Sequence, residues 1–91
     1  MATLIKENGK QTEIQPKNGT DFTLQELQEY VDGVIEIINL HDGNILVINE
    51  EGKWKYGVNE TATQIAKERL AIFPWDVVVG DVVLCKDEEV Q

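Results

Sequence analysis

Two sets of side chains in this sequence have the types and spacing for recognition chemistry. Asn49, Glu50, Glu51 and Asn59 bracket the segment Lys53-Trp54-Lys55-Tyr56. A carboxamide carries both donors and an acceptor, which suits base or ribose edges. Trp54 stands between two lysines, so a base could stack on the indole while a lysine meets its phosphate. Asn49, Trp54, Tyr56 and Asn59 are therefore the candidate ligand-binding residues, and the ligand they suit is small and nucleotide-like. Tyr30 and Trp75 complete the local aromatics. The plainer reading makes Asn49-Glu50-Glu51-Gly52 a turn and Asn59 a helix cap, with alternation placing Trp54 in the core.

The second set is acidic. Glu26, Glu29, Asp32 and Glu36 lie within one short stretch, and Glu26 and Glu29 are at i,i+3 on a helix face. Such a row could imitate DNA phosphates and occupy the basic surface of a DNA-binding protein. The plainer reading is a solvated helix face. A carboxylate pair could also serve acid–base work or Mg²⁺ binding, but nothing in the spacing demands it. His41-Asp42 falls at an expected hairpin tip, a poor place for a general base, and Cys85 in a valine-rich strand reads as a small buried hydrophobe.

The inventory narrows the chemistry. The 91 residues include no serine, one histidine and one cysteine, so a serine triad and a one-chain Cys/His zinc site are excluded. The expectation is a non-enzymatic protein with no cofactor and no metal. Seventeen acids stand against eight bases, for a net charge of −9. That charge opposes direct binding to nucleic acid or anionic membrane and favours basic partners. No apolar run approaches the roughly 20 residues of a membrane span, no secretory leader pattern opens the chain, and a lone cysteine suits a reducing compartment. A cytoplasmic protein is expected.

These groups need a frame to position them. Val34 to Leu40 and Ile45 to Asn49 are β-branched runs joined through Asp42-Gly43, a hairpin signal that asks for positive φ at both central residues. Val34-Leu40 is apolar on both faces, which predicts a central strand in a sheet covered on both sides. Glu51-Gly52 then turns into a third strand over Lys53-Tyr56. At the N-terminus, Asn8-Gly9 joins a polar hairpin that reads as an edge. Thr23-Leu24-Gln25-Glu26 is a capping box, Phe22 and Leu27 form a hydrophobic staple, and Gly33 stops a helix over 24–32. Asn59 caps a second helix with Ala62, Ile65, Ala66 and Leu70 on one face, ended by Phe73-Pro74. Val77-Val79 and Val82-Cys85, broken at Gly80, supply a last strand. The order is β-β-α-β-β-β-α-β, an α+β fold with a mostly antiparallel sheet and two short helices. Residues 1–85 form one domain, and 86–91 an acidic, frayed tail.

The ordered set Tyr30-Val31-Asp32-Gly33-Val34-Ile35-Glu36, Val47-Ile48-Asn49-Glu50-Glu51-Gly52-Lys53, Asn59 with Ala62-Thr63, and Val79-Gly80-Asp81-Val82-Val83 resembles a family of small proteins of bacteriophages, prophages and mobile elements. The resemblance covers roughly 22–84 and brings no catalytic residues. It implies a small counter-defence protein inside a bacterial host cell. On this reading the protein sequesters a nucleotide-like signal or inhibits a host defence protein. It is expected to be a homo-oligomer, because so short a chain builds a ligand site more easily between subunits. The alternative is the acidic DNA-mimic decoy.

Overall fold

The computed structural model describes residues 2–90. Five strands form one antiparallel sheet: β1 (Ala2–Ile5), β2 (Gln11–Ile14), β3 (Ile35–Asn39), β4 (Asn44–Asn49) and β5 (Val82–Lys86). Two helices, α1 (Leu24–Val31) and α2 (Glu60–Glu68), are inserted among them. The fold is α+β, and the strands lie in the order β2-β1-β5-β4-β3. The meander strand expected over Lys53-Tyr56 is replaced by a 3-10 turn, Gly52–Trp54, so the described chain has one strand fewer than expected. Gly52 explains the change. It is buried against Asn49 and Val79, and its carbonyl accepts from the N–H groups of Lys55 and Tyr56, which coils the segment instead of extending it.

Each face of the sheet carries one helix, because every strand alternates its side chains between faces. On one face Phe22, Leu27 and Val31 of the α1 region pack with Ala2, Ile45, Val47, Val83 and Cys85. On the other, Ala62 and Ala66 of α2 pack with Ile5, Leu40, Leu46, Val78 and Val82. Two small residues on α2 let its backbone approach the sheet closely. The capping box and the staple form as expected: Thr23 Oγ1 accepts from the Glu26 N–H at 3.2 Å, and Phe22 and Leu27 share one buried cluster.

The strand expected at the centre is at the edge. β3 pairs only with β4, and Ile37 is 48% exposed. The central strand is β5, held between β1 and β4. Leu46, Val47, Val82 and Val83 are fully buried. The hairpin connection also differs: positive φ falls at His41 (65°) and Gly43 (89°), not at Asp42, because the loop is longer than the two-residue turn. α2 ends earlier than Phe73-Pro74 suggested. Leu70 turns left-handed at φ 55°, and the Ala71 N–H closes the helix on the Ala66 carbonyl at 2.9 Å. The segment expected as a frayed tail from Lys86 begins as the last residue of β5. It continues as a 3-10 turn over Asp87–Glu89, where the Glu89 carbonyl accepts from the Phe22 N–H. Its final residue, 91, lies outside the described residues.

The edge position of β3 reverses the usual expectation for its apolar residues. Ile37→Asp should cost about 1 kcal/mol or less, as edge substitutions do. Val47→Asp buries an unpaired charge and should cost several kcal/mol against a total stability of about 5–15. Urea denaturation of the two variants checks the difference, and an unfolded Ile37→Asp would place β3 in the interior.

Candidate functional site

The two candidate amides are buried and fully used. Asn49 Nδ2 donates to the carbonyls of Val31 and Asp32, both at 3.0 Å, and its Oδ1 accepts from the Glu51 N–H at 2.8 Å. It ties the end of α1 to the end of β4. Asn59 caps α2 by accepting from the Ala62 N–H at 3.0 Å. Its Nδ2 donates to the carbonyls of Ile5 and Gly80, at 3.0 and 2.8 Å. Neither side chain has a donor left for a ligand. Trp54, on the 3-10 turn, is 91% exposed and in no core cluster. Tyr56 is half-buried, packs its ring against Gly80, and donates its hydroxyl to Asp32 at 2.6 Å, a bond that raises the phenol above its ordinary value. Asn49 and Tyr56 are neighbours: both donate to Asp32, and both lie beside Gly52.

The acidic set is also divided. Glu26 is buried: its carboxylate accepts from the N–H groups of Lys17 and Thr23, at 3.0 and 3.1 Å. Those two bonds, the Lys17 one first, hold its carboxyl below the usual range. Glu29, Asp32 and Glu36 are exposed, and Asp32 is engaged by Tyr56. Cys85 faces the α1 core, where burial pushes the thiol up to about 12 and leaves it protonated and inert. Among the described residues no group of His, Cys, Asp and Glu side chains is arranged to hold a metal ion.

A different surface has the shape of a binding site. An open groove of about 540 Å³ runs between β3 and the segment that links α2 to β5. Glu36, Ile38 and Asn39 line one side, Leu70, Ala71, Ile72 and Phe73 the other, with Lys53 and Asp76 at one end. Ile38 and Ile48 connect it to the α2 core. Two of its lining residues are unusually apolar for solvent, Leu70 at 86% exposed and Phe73 at 63%, and Trp75 beside them is 79% exposed. Phe73 and Trp75 stack face to face with centroids 4.9 Å apart. Two cations near the groove are matched within the fold. Lys53 is bonded to Asp76, which is held below its ordinary value by that ammonium and by the Val77 N–H. Arg69 is paired with Asp42. Glu36 has no ionic partner among the described residues. Leu70 is doubly exceptional, because glycine is the usual residue at a left-handed helix terminus and a leucine there would ordinarily turn inward.

The family model of a domain of unknown function, DUF3846, matches residues 1–91. The chain belongs to that family. No curated protein and no solved structure matches it. Among its described residues no helix is long and apolar enough to cross a membrane. Of the residues that line the groove, only Glu36 is among the site residues expected from the sequence; Lys53 enters there only as a phosphate partner beside Trp54, and Leu70 and Phe73 only as the end of the second helix. The signal was present in Leu70-Ala71-Ile72-Phe73-Pro74-Trp75, an apolar run that follows a helix and precedes a strand without belonging to either.

Glu26 gives a pH test of the capping arrangement. A carboxyl held below its ordinary value in the folded state contributes stability above the usual carboxylate range and loses it as pH falls through the lowered value. Glu26→Gln should therefore be less stable than wild type near neutral pH. The gap should narrow in acid, as measured by urea denaturation at pH 7 and at about pH 3. A gap that stays constant with pH would show that the charge of Glu26 is not what the cap uses.

Proposed function

We propose that this protein is a non-enzymatic binding protein that holds a basic partner protein in the groove beside β3. The observation that carries the reading is the groove itself: an apolar wall with Leu70 and Phe73 exposed on it and Trp75 stacked on Phe73, beside the carboxylate of Glu36, which has no ionic partner among the described residues, on a chain of net charge −9. Exposed apolar clusters rimmed by polar groups mark interaction surfaces, and aromatic residues dominate their energetics. The acidic field speeds the approach of a basic partner. A host defence protein inhibited by contact is the form that the phage and mobile-element resemblance gives this reading.

The nucleotide-sequestering form has less support. Asn49 and Asn59 are occupied within the fold, and a phosphate in the groove would face Glu36 with Lys53 already held by Asp76. The decoy form needs a regular exposed acidic row, and Glu26 is withdrawn into its cap. Self-association through the groove would bring together two chains of −9 charge each.

Leu70→Gly separates binding from folding. It removes an exposed side chain and relieves a left-handed leucine, so stability should stay level or rise by about 1 kcal/mol. Tagged wild type expressed in bacterial cytoplasm should retain a defined basic protein after washing. Leu70→Gly and Trp75→Ala should lose it, while Leu24→Gln, exposed on the α1 side, should keep it. Identical capture by Leu70→Gly and wild type would overturn the reading.

A further inference from the structure

The register of the sheet says more about how the groove is filled. The Leu40 N–H donates to the Asn44 carbonyl at 3.1 Å, and the Glu50 N–H donates to the Val34 carbonyl at 2.8 Å. Both are inward pairs of the β3–β4 ladder, whose register runs from Ile35 opposite Asn49 to Asn39 opposite Ile45. Antiparallel pairs alternate between bonded and non-bonded. Glu36 and Ile38 therefore turn their backbone groups toward β4. Ile35, Ile37 and Asn39 turn theirs outward, along the groove. Among the described residues no backbone hydrogen bond reaches those outward groups.

The two edges of the sheet are treated differently. β2 is polar along most of its length and is flanked by Lys10 and Pro16, the residue types that blunt an edge against further pairing. β3 contains no lysine and no proline, and its sequence, Ile-Glu-Ile-Ile-Asn, is that of a strand ready to pair. We infer that the partner enters as a sixth strand on the free edge of β3. This rests on the groove being the docking surface.

The faces of β3 then specify the occupant. Glu36 and Ile38 share the α2 face with Ile48 and Leu46, their ladder partners, and the wall from Leu70 to Phe73 overhangs that side. Ile37 lies on the other face, half exposed beyond the reach of α1. The residue set opposite Glu36 is basic, and the residues opposite Ile37 and Ile38 are apolar. The partner segment is an extended run with a basic residue two positions from an apolar one. Main-chain bonds provide the grip, and the alternate side chains provide the selection.

The probe is a blocked heptapeptide, Thr-Lys-Val-Ile-Val-Lys-Thr, which presents the same side chains in either strand direction. Titration into the whole protein, followed by backbone amide NMR shifts, should perturb Ile35 to Asn39 and Leu70 to Val77. Replacing both peptide lysines by glutamate, or N-methylating its three central residues, should weaken binding about tenfold or more. Ile37→Pro removes one outward N–H and leaves the β3–β4 ladder intact, so the variant should melt near wild type and bind about tenfold more weakly or worse. Glu36→Lys, a change at an exposed site, should reverse the preference between the lysine and glutamate peptides whether or not Ile37→Pro folds. No binding of the lysine peptide, equal binding of its N-methylated form, shifts centred on β2, or an unchanged preference in Glu36→Lys would each overturn strand addition. Peptide failure alongside Leu70-dependent capture of a basic protein sinks only the strand mode. Capture that ignores Leu70 sinks the docking surface itself.

Discussion

Val82, Val83 and Cys85 sit between β1 and β4, with ladder partners at Leu4 and Ile5 on one side and at Val47 and Ile45 on the other. This insertion of the last strand joins the N-terminal hairpin to the β3–β4 hairpin, and neither hairpin would bury an apolar face without it. Pairing residues so far apart in sequence carries a loop-closure cost that is recovered only when both cores form together. Val83 and Cys85 then complete the α1 side while Val82 completes the α2 side. The two buried amides hold the connections that this closure demands. Asn59 links β1, the turn at Gly80 and the start of α2, and Asn49 links α1 to β4.

A sheet of five strands covered by one short helix on each face is protected at its centre and open at its margins. α1 contributes eight residues and α2 nine, and each covers only the cluster of sheet side chains beneath it. β3 lies beyond the reach of α1 at Ile37, and on the α2 side the segment from Leu70 to Val77 stands off from it and leaves the groove. The groove is thus a consequence of short helices on a wide sheet. The chain has placed Leu70 and Phe73 at that opening, with Trp75 stacked on Phe73, where solvation alone would favour polar residues.

Local signals in the sequence were legible where the physics is local. The capping box at Thr23 and Glu26 and the cap at Asn59 depend on three or four residues each, and both form as the sequence indicates. The α+β class followed from the mixture of periodicities. The position of β3 was not legible, because two-sided apolarity in a strand signals either burial or an edge awaiting a partner, and the sequence of one chain does not distinguish them. Trp54 and Lys53-Tyr56 misled for a related reason. The alternation was compatible with a strand, but burial of Gly52 against Val79 is a tertiary contact that coils the segment. Asn49 and Asn59 carried the donors and acceptors that marked them as candidate ligand groups, and those same groups are what the fold uses internally. The groove joins residues 36–39 to residues 70–77, and no short-range pattern connects them.

The free outer edge of β3 is the central claim, and residue-resolved amide hydrogen exchange of the protein alone measures it most directly. The Glu36 and Ile38 amides, bonded toward β4, should exchange slowly, and those of Ile35, Ile37 and Asn39 should exchange fast. That alternation along five consecutive residues is the signature of a strand paired on one side only. Uniform protection from Ile35 to Asn39 would mean that the edge is already covered, by another part of the chain or by a second copy, and would contradict the account.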